Sequence, residues 1–261
     1  MTPRKYIDLR KARVLISNDD GIDAPGLKTL EKAVRAIAKD VWVVAPETEQ
    51  SAAAHAITLR RPLRIRKVSK QRFAVDGTPT DCVLLAINEI MSEHLPDIVL
   101  SGINRGGNLG DDVTYSGTIA AVIEGTILGV PGVAFSQHFE DGKPVPWATA
   151  EHWIPKVLKK LAGVSIPHNT LINVNFPDVA AKDVTGIHVT RQGARKLGDQ
   201  IQHGSDPRAQ SYYWIGQQWR EEKFRKGTDL STVYSGGISV TPLSIDLTDT
   251  RTMKTLQDVF K

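Results

Sequence analysis

Val14-Leu15-Ile16-Ser17-Asn18-Asp19-Asp20-Gly21-Ile22-Asp23-Ala24-Pro25-Gly26 runs from an apolar triplet, through an acidic turn, to proline and glycine. Leu27, Leu30, Val34 and Ile37 then recur at helical spacing, which predicts one apolar stripe against a sheet. Strand, acidic turn and helix in that order is where an open α/β protein places its chemistry, at the carboxyl end of a strand. Adjacent carboxylates repel, and each raises the other's pKa unless a cation lies between them. A hard divalent ion with oxygen ligands is one explanation of the pair. A solvated turn in which Asp23 caps the helix is the other, because Asx residues are common in turns. The stretch by itself leaves both open.

Val41-Trp42-Val43-Val44-Ala45, ending at Pro46, is a continuous apolar run of the kind found in buried parallel strands. Together with the opening strand and helix it makes a β-α-β unit with a right-handed crossover. Residues 47–55 leave the carboxyl end of this second strand and should lie near the acidic turn, with Ser51 as the reaching side chain. Ile57-Thr58-Leu59, Leu63-Arg64-Ile65 and Arg72-Phe73-Ala74-Val75 alternate and predict short antiparallel strands on one edge. Thr78 or Thr80 can cap the next helix, which carries Val83, Ala86, Ile87 and Ile90 on one face. Ile98-Val99-Leu100 is a third buried strand.

Residues 101–118 follow it as a long loop with five glycines. A loop of this size in a compact domain is usually functional. Ser116 is a good N-cap for the helix beyond, whose buried face carries Ile119, Val122, Ile123 and Ile127. The N–H groups of Gly117, Thr118 and Ile119 are then offered to an anion, helped by the helix dipole. A nicotinamide site is disfavoured, because residues 102–107 are out of register with the dinucleotide fingerprint and no acidic residue follows the second strand at the expected place.

Val130 to Ser136, Leu171 to Phe176 and Ile187 to Thr190 predict further strands, and Trp147 to Leu161 a helix kinked or delayed by Pro155. From about Gln192 the composition shifts. Tyr212-Tyr213-Trp214-Ile215, Trp219 and the charged run 220–226 suggest an extended β arm whose aromatics meet another copy of the chain. Ile238 to Leu243 reads as a strand stopped by Pro242, and Thr252 to Phe260 as a terminal helix. The organisation expected is a polar N-terminal extension (1–12), an α/β core (13–191) and a C-terminal β arm and helix for oligomerisation (192–261).

The 261 residues suffice for one large α/β domain with an arm. A formal charge of +4 is weak evidence for nucleic-acid binding and fits mild attraction for a small anion equally well. The single cysteine, Cys82, excludes an internal disulfide and fits a reducing compartment. No apolar run approaches the ~18 residues of a membrane span. The N-terminus lacks the apolar centre of a secretory signal. A cytoplasmic protein is expected.

Three strand ends converge on one set of oxygens: Asp19 and Asp20 after the first, Ser51 after the second, Asn104 after the third. Two carboxylates, a hydroxyl and an amide carbonyl suit Mg²⁺, Mn²⁺ or Ca²⁺ better than zinc, which favours His and Cys. Next to them lies the helix start at Ser116-Gly117-Thr118. A hard metal beside a phosphate cradle suggests phosphoester hydrolysis. An aspartate-nucleophile phosphatase needs two aspartates one residue apart, and here they are adjacent. A nucleotide-binding regulator without turnover is the rival from another class.

Residues 16–21 (ISNDDG), 24–26 (APG), 43–46 (VVAP), 77–82 (GTPTDC) and above all 96–125 (PDIVLSGINRGGNLGDDVTYSGTIAAVIEG) resemble the SurE 5′-/3′-nucleotidases, as do 189–191 (VTR), 213–216 (YWIG), 227–229 (GTD) and 239–243 (SVTPL). The resemblance spans roughly residues 13 to 250. It implies a Rossmann-like α/β/α sandwich with a mostly parallel sheet and a C-terminal β extension exchanged between subunits, in dimers or tetramers. It also implies metal-dependent removal of phosphate from nucleoside monophosphates, with some action on short polyphosphate. One divalent ion per subunit would be held by Asp19, Asp20, Ser51 and Asn104. Asn108, Ser116, Gly117 and Thr118 would hold the phosphate, and Asp19 could also serve as base. Nucleic acid and membranes are not expected partners. Two departures stand out: Ala52 follows Ser51 where the family has glycine, and Gly236-Gly237 replaces a usual Gly-Tyr.

Overall fold

The computed structural model describes residues 7–195, 201–215 and 224–261. Its strands are β1 (Arg13–Ser17), β2 (Asp40–Pro46), β3 (Ile65–Ser69), β4 (Arg72–Val75), β5 (Ile98–Arg105), β6 (Gly132–Gln137), β7 (Thr170–Phe176), β8 (Ile187–Val189), β9 (Ile201–Ser205), β10 (Ser211–Ile215) and β11 (Ile238–Ser244). The helices are α1 (Pro25–Arg35), α2 (Pro79–Leu85), α3 (Gly117–Ile127), α4 (Trp147–Leu161), α5 (Asp229–Tyr234) and α6 (Thr250–Val259).

Nine strands form one sheet in the order β3-β4-β2-β1-β5-β6-β7-β11-β8. The run from β4 to β7 is parallel throughout. Strand alternation sorts β1 between two cores. Val14 and Ile16 pack with Leu27, Leu30 and Val34 of α1 and Ile154 and Leu158 of α4. Leu15 faces the other way, toward Cys82 and Val83 of α2 and Ala121 of α3. The result is a Rossmann-like α/β/α sandwich. Chain order reverses at β1, between β2 and β5, and the crevice beyond their carboxyl ends is where such sheets bind ligands.

Glycine makes the tightest of these contacts. A Cβ on Gly26 would lie 2.0 Å from the carbonyl oxygen of Ile103, so α1 can sit this close to β5 only without a side chain there. At α2, Thr78 and Asp81 form a reciprocal capping box, and the Thr58 backbone and hydroxyl also donate to Asp81.

Several expectations are corrected. Residues 57–59 form no strand, and their Thr58 is instead tied to Asp81. Only β3 is antiparallel on that edge, and β4 runs parallel to β2. Asp23 does not cap α1: the cap position is Ala24, with no side-chain bond, and Asp23 is exposed near Lys28. Helix α4 starts at Trp147 and continues through Pro155.

The C-terminal third divides. β9 and β10 form a separate hairpin with Tyr213, Trp214 and Ile215 exposed. Residues 229–244 return to the main body, where β11 pairs antiparallel with β7 and parallel with β8. β11 continues past Pro242 to Ser244, because its pairing with β8 ends at Val240 and leaves an open edge beside the proline. Trp219 and residues 220–223 of the charged run lie outside the described residues. No described helix is long and apolar enough to cross a membrane.

Candidate active site

Asp19 and Asp20 follow β1 in a turn closed by Asn18, whose Nδ2 donates to the Gly21 carbonyl at 3.0 Å. Gly21 takes φ +98°, and a Cβ there would stand 3.3 Å from Thr48, so the turn needs glycine. The Gln50 N–H donates to the Asp19 carbonyl at 2.8 Å and pins the loop after β2 against the acidic turn. That loop carries Ser51, whose hydroxyl donates to Glu49 at 2.6 Å. Asn104, on β5, donates its Nδ2 to the Gly106 carbonyl at 2.9 Å, an orientation in which its amide oxygen could serve as a ligand.

All four predicted ligands line one cavity of about 660 Å³, together with Asn108 and Ser116. Asp19 is only 5% exposed. Burial pushes its carboxyl above the usual range, against the lowering effect of hydrogen bonds from Thr118. Burial, then the neighbouring Asp19, push Asp20 up to about 7, although the Arg105 N–H donates to it at 3.3 Å. Two desolvated carboxylates that resist ionisation gain most from a cation between them. The donors are all oxygens, and no group of three His, Cys, Asp or Glu suited to a metal occurs among the described residues. The set fits a hard divalent ion of the Mg²⁺, Mn²⁺ or Ca²⁺ type.

The start of α3 packs directly on Asp19. A Cβ on Gly117 would lie 2.8 Å from Asp19 Cβ and 3.0 Å from its Oδ2. Ser116 is the N-cap and accepts from the Ile119 N–H at 3.1 Å, so its own hydrogen remains to be donated. This changes two expected roles. The Ile119 N–H is spent on the cap, and Thr118 is wholly buried with its hydroxyl donated to Asp19. Thr118 thus serves the carboxylate, and neither it nor Gly117 is among the residues lining the cavity.

Asn108 is held by residues that sequence reasoning passed over. Its Nδ2 donates to Ser136 Oγ at 2.8 Å, its N–H donates to Asn175 at 2.9 Å, and its carbonyl accepts from Asn173 and Asn175. The available signal was Asn173-Val174-Asn175: two amides on one face of an apolar strand must find partners in the interior. Glu49 was missed as well, a further carboxylate lining the cavity beside Asp19 and Asp20, as Asp112, Glu140 and Asp141 also do. The loop after Asn108 is clamped in turn by Asp229, which accepts from the Gly110 N–H at 2.9 Å.

A family model described as survival protein SurE matches residues 14–199. The chain belongs to the SurE family. It is 58% identical to the 5′-nucleotidase SurE of Paramagnetospirillum magneticum over 260 residues, the full length of both. It is 50% identical to that of Rhodospirillum rubrum, across 97% of this chain and 98% of the other. The crystal structure of SurE from Aquifex aeolicus superposes with a TM-score of 0.84 at 38% identity, covering 95% of this chain and all of that one. Against the SurE pattern, Ala52 is informative: it takes φ +58°, a left-handed conformation that glycine adopts without strain.

Proposed function

We propose that this SurE-family chain is a metal-dependent phosphomonoesterase. It releases phosphate from nucleoside 5′-monophosphates and also acts on 3′-monophosphates and short polyphosphate. One observation carries the reading: oxygen donors from three separate strand ends line one cavity beside a capped helix start.

Asp19, Asp20, Ser51 and Asn104 would hold one divalent ion, which supplies Lewis acidity and a water ionised near neutral pH. Ser116 donates its hydroxyl hydrogen to a phosphate oxygen. Asn108 offers the second N–H of its amide, and the Gly117 N–H adds the helix-start charge. Asp19 has one oxygen committed to Thr118, and the other can accept a proton from attacking water. Arg105 and the glycine-rich turn around it hold the Asp20 side of the site.

The exposed hairpin β9–β10 and the amphipathic α6, which has no buried residue, are assigned to contacts between copies of the chain in a dimer or tetramer. A cytoplasmic location accords with a lone, fully buried thiol.

Phosphate release from AMP and GMP, with EDTA and then with Mg²⁺ or Mn²⁺ restored, tests the activity. Loss with EDTA and recovery with metal is expected, and Asp20→Asn should abolish turnover while the protein stays folded. Nucleotide binding without phosphate release under any metal would overturn the reading in favour of a regulator.

A further inference from the structure

The loop after β2 carries Ser51, and its far end is held by a pair outside the set of oxygens and phosphate donors. His55 Nε2 and Glu124 Oε2 are hydrogen-bonded at 2.9 Å. Glu124 belongs to α3 and is 5% exposed, while the His55 side chain is 31% exposed. On the same helix Ile119, Ala120, Ala121 and Val122 are buried and apolar. A carboxyl group in such surroundings destabilises the fold unless a partner meets it, and an apolar residue would fill the place more favourably. Packing alone does not account for a glutamate here.

What the pair joins does account for it. Gly117 and Glu124 are seven residues apart, about two turns, and so lie on one face of α3. The first packs on Asp19, and the second holds the Ser51 loop. Two backbone bonds tie the same loop: the Gln50 N–H donates to the Asp19 carbonyl at 2.8 Å, and the Ala54 N–H to the Tyr115 carbonyl at 3.2 Å. On this stretch Ala52 takes φ +58° and Ala54 φ +49°. Residues other than glycine persist in the left-handed region only where the surroundings over-determine the backbone.

We propose that His55 and Glu124 are positioning residues for the reaction, which lock the strained loop so that the Ser51 hydroxyl stands ready for a cation beside Asp19. Helix α3 thereby orients Asp19 through Thr118, and Ser51 through Glu124 and His55. The inference rests on the reading of Ser51 as a ligand in a metal-dependent nucleotidase. Neither His55 nor Glu124 lines the cavity, so both act through the loop.

The test uses the full chain, with Mn²⁺ alone as the probe and hydrogen exchange of the metal-free protein as a second readout. His55→Ala removes the tie, and His55→Gln keeps a side-chain N–H that can reach Glu124. The Kd for Mn²⁺ should rise about tenfold in His55→Ala and stay near the natural value in His55→Gln. In a Ser51→Ala background, His55→Ala should weaken Mn²⁺ binding by less than about twofold, because the ligand it positions is already gone. In metal-free His55→Ala the Gln50 and Ala54 amides should exchange about tenfold faster, with the Leu15 and Val99 amides of the central strands unchanged. Undiminished Mn²⁺ affinity in His55→Ala, an equal loss in His55→Gln or in the Ser51→Ala background, or unchanged exchange at Gln50 and Ala54 would overturn the proposal. Should the natural chain bind no Mn²⁺, the metal-dependent reading fails, and the exchange comparison alone decides whether the pair holds the loop.

Discussion

Thr118 donates its hydroxyl to Asp19 from 99 residues further along the chain, joining the start of α3 to the turn after β1. Asp19 is buried, so its charge depends on such donors. Removing the hydroxyl in Thr118→Val leaves a buried acceptor with one fewer partner. A stability loss of about 1–3 kcal/mol is expected, with weaker divalent-metal binding. Thr118→Ser should restore both. Urea unfolding and metal titration check it.

Asp20 gives a pH dependence of known sign. Its folded pKa of about 7 exceeds the unfolded value of ~3.9, so between the two the folded chain holds more protons. Stability of the metal-free protein therefore falls as pH rises through that window and levels off above it. Metal binding must displace the same proton, so affinity should drop about tenfold per unit below pH 7. Asp20→Asn should flatten this contribution to the stability profile while abolishing metal binding. Thermal melts in EDTA and titrations between pH 5.5 and about 8 read both effects.

Gly117 is where α3 approaches Asp19 most closely. In Gly117→Ala the new methyl meets Asp19 at 2.8 Å, with Pro79 also in the way at 3.1 Å. Overpacking of this kind costs about 1–3 kcal/mol. Displacement of the carboxylate by about 1 Å should lower kcat about 100-fold. An unchanged kcat would show that the helix start yields without moving Asp19.

Ala52 holds φ +58° next to a predicted ligand. Ala52→Gly relieves the left-handed strain, offset by the greater freedom of glycine when unfolded, for a net gain of up to about 1 kcal/mol. Melting temperature with and without metal measures it, and a fall on substitution would contradict the strain.

That Asp19, Asp20, Ser51 and Asn104 meet in one cavity was legible because they lie at strand ends. Apolar runs at Val14–Ile16, Val43–Val44 and Ile98–Leu100 mark buried parallel strands, and parallel strands bring their carboxyl ends together. Side-chain pairing across the sheet was not legible. Thr118 was assigned to phosphate because its position at a helix start is visible, whereas the partner 99 residues away is not. Asn173 and Asn175 looked like ordinary strand residues until Asn108 was found on them. Asp23 has the residue type of a cap, but Ala24 occupies the capping geometry. Pro242 looked like a stop because sequence does not tell which strand has an open edge beside it.

The position of β11 between β7 and β8 sets an order of events during synthesis. Residues 187–189 have no neighbouring strand until 238–240 have emerged. Gly110 likewise waits for Asp229, and the cavity waits for Phe224 and Tyr234, which line it. A nascent chain that has cleared the ribosome only to β7 already carries both carboxylates and the start of α3. It has a sheet with an open edge and a cavity without its far wall. Domains assemble from the N-terminus as they are made, and here a late stretch completes the chamber in which an early stretch works.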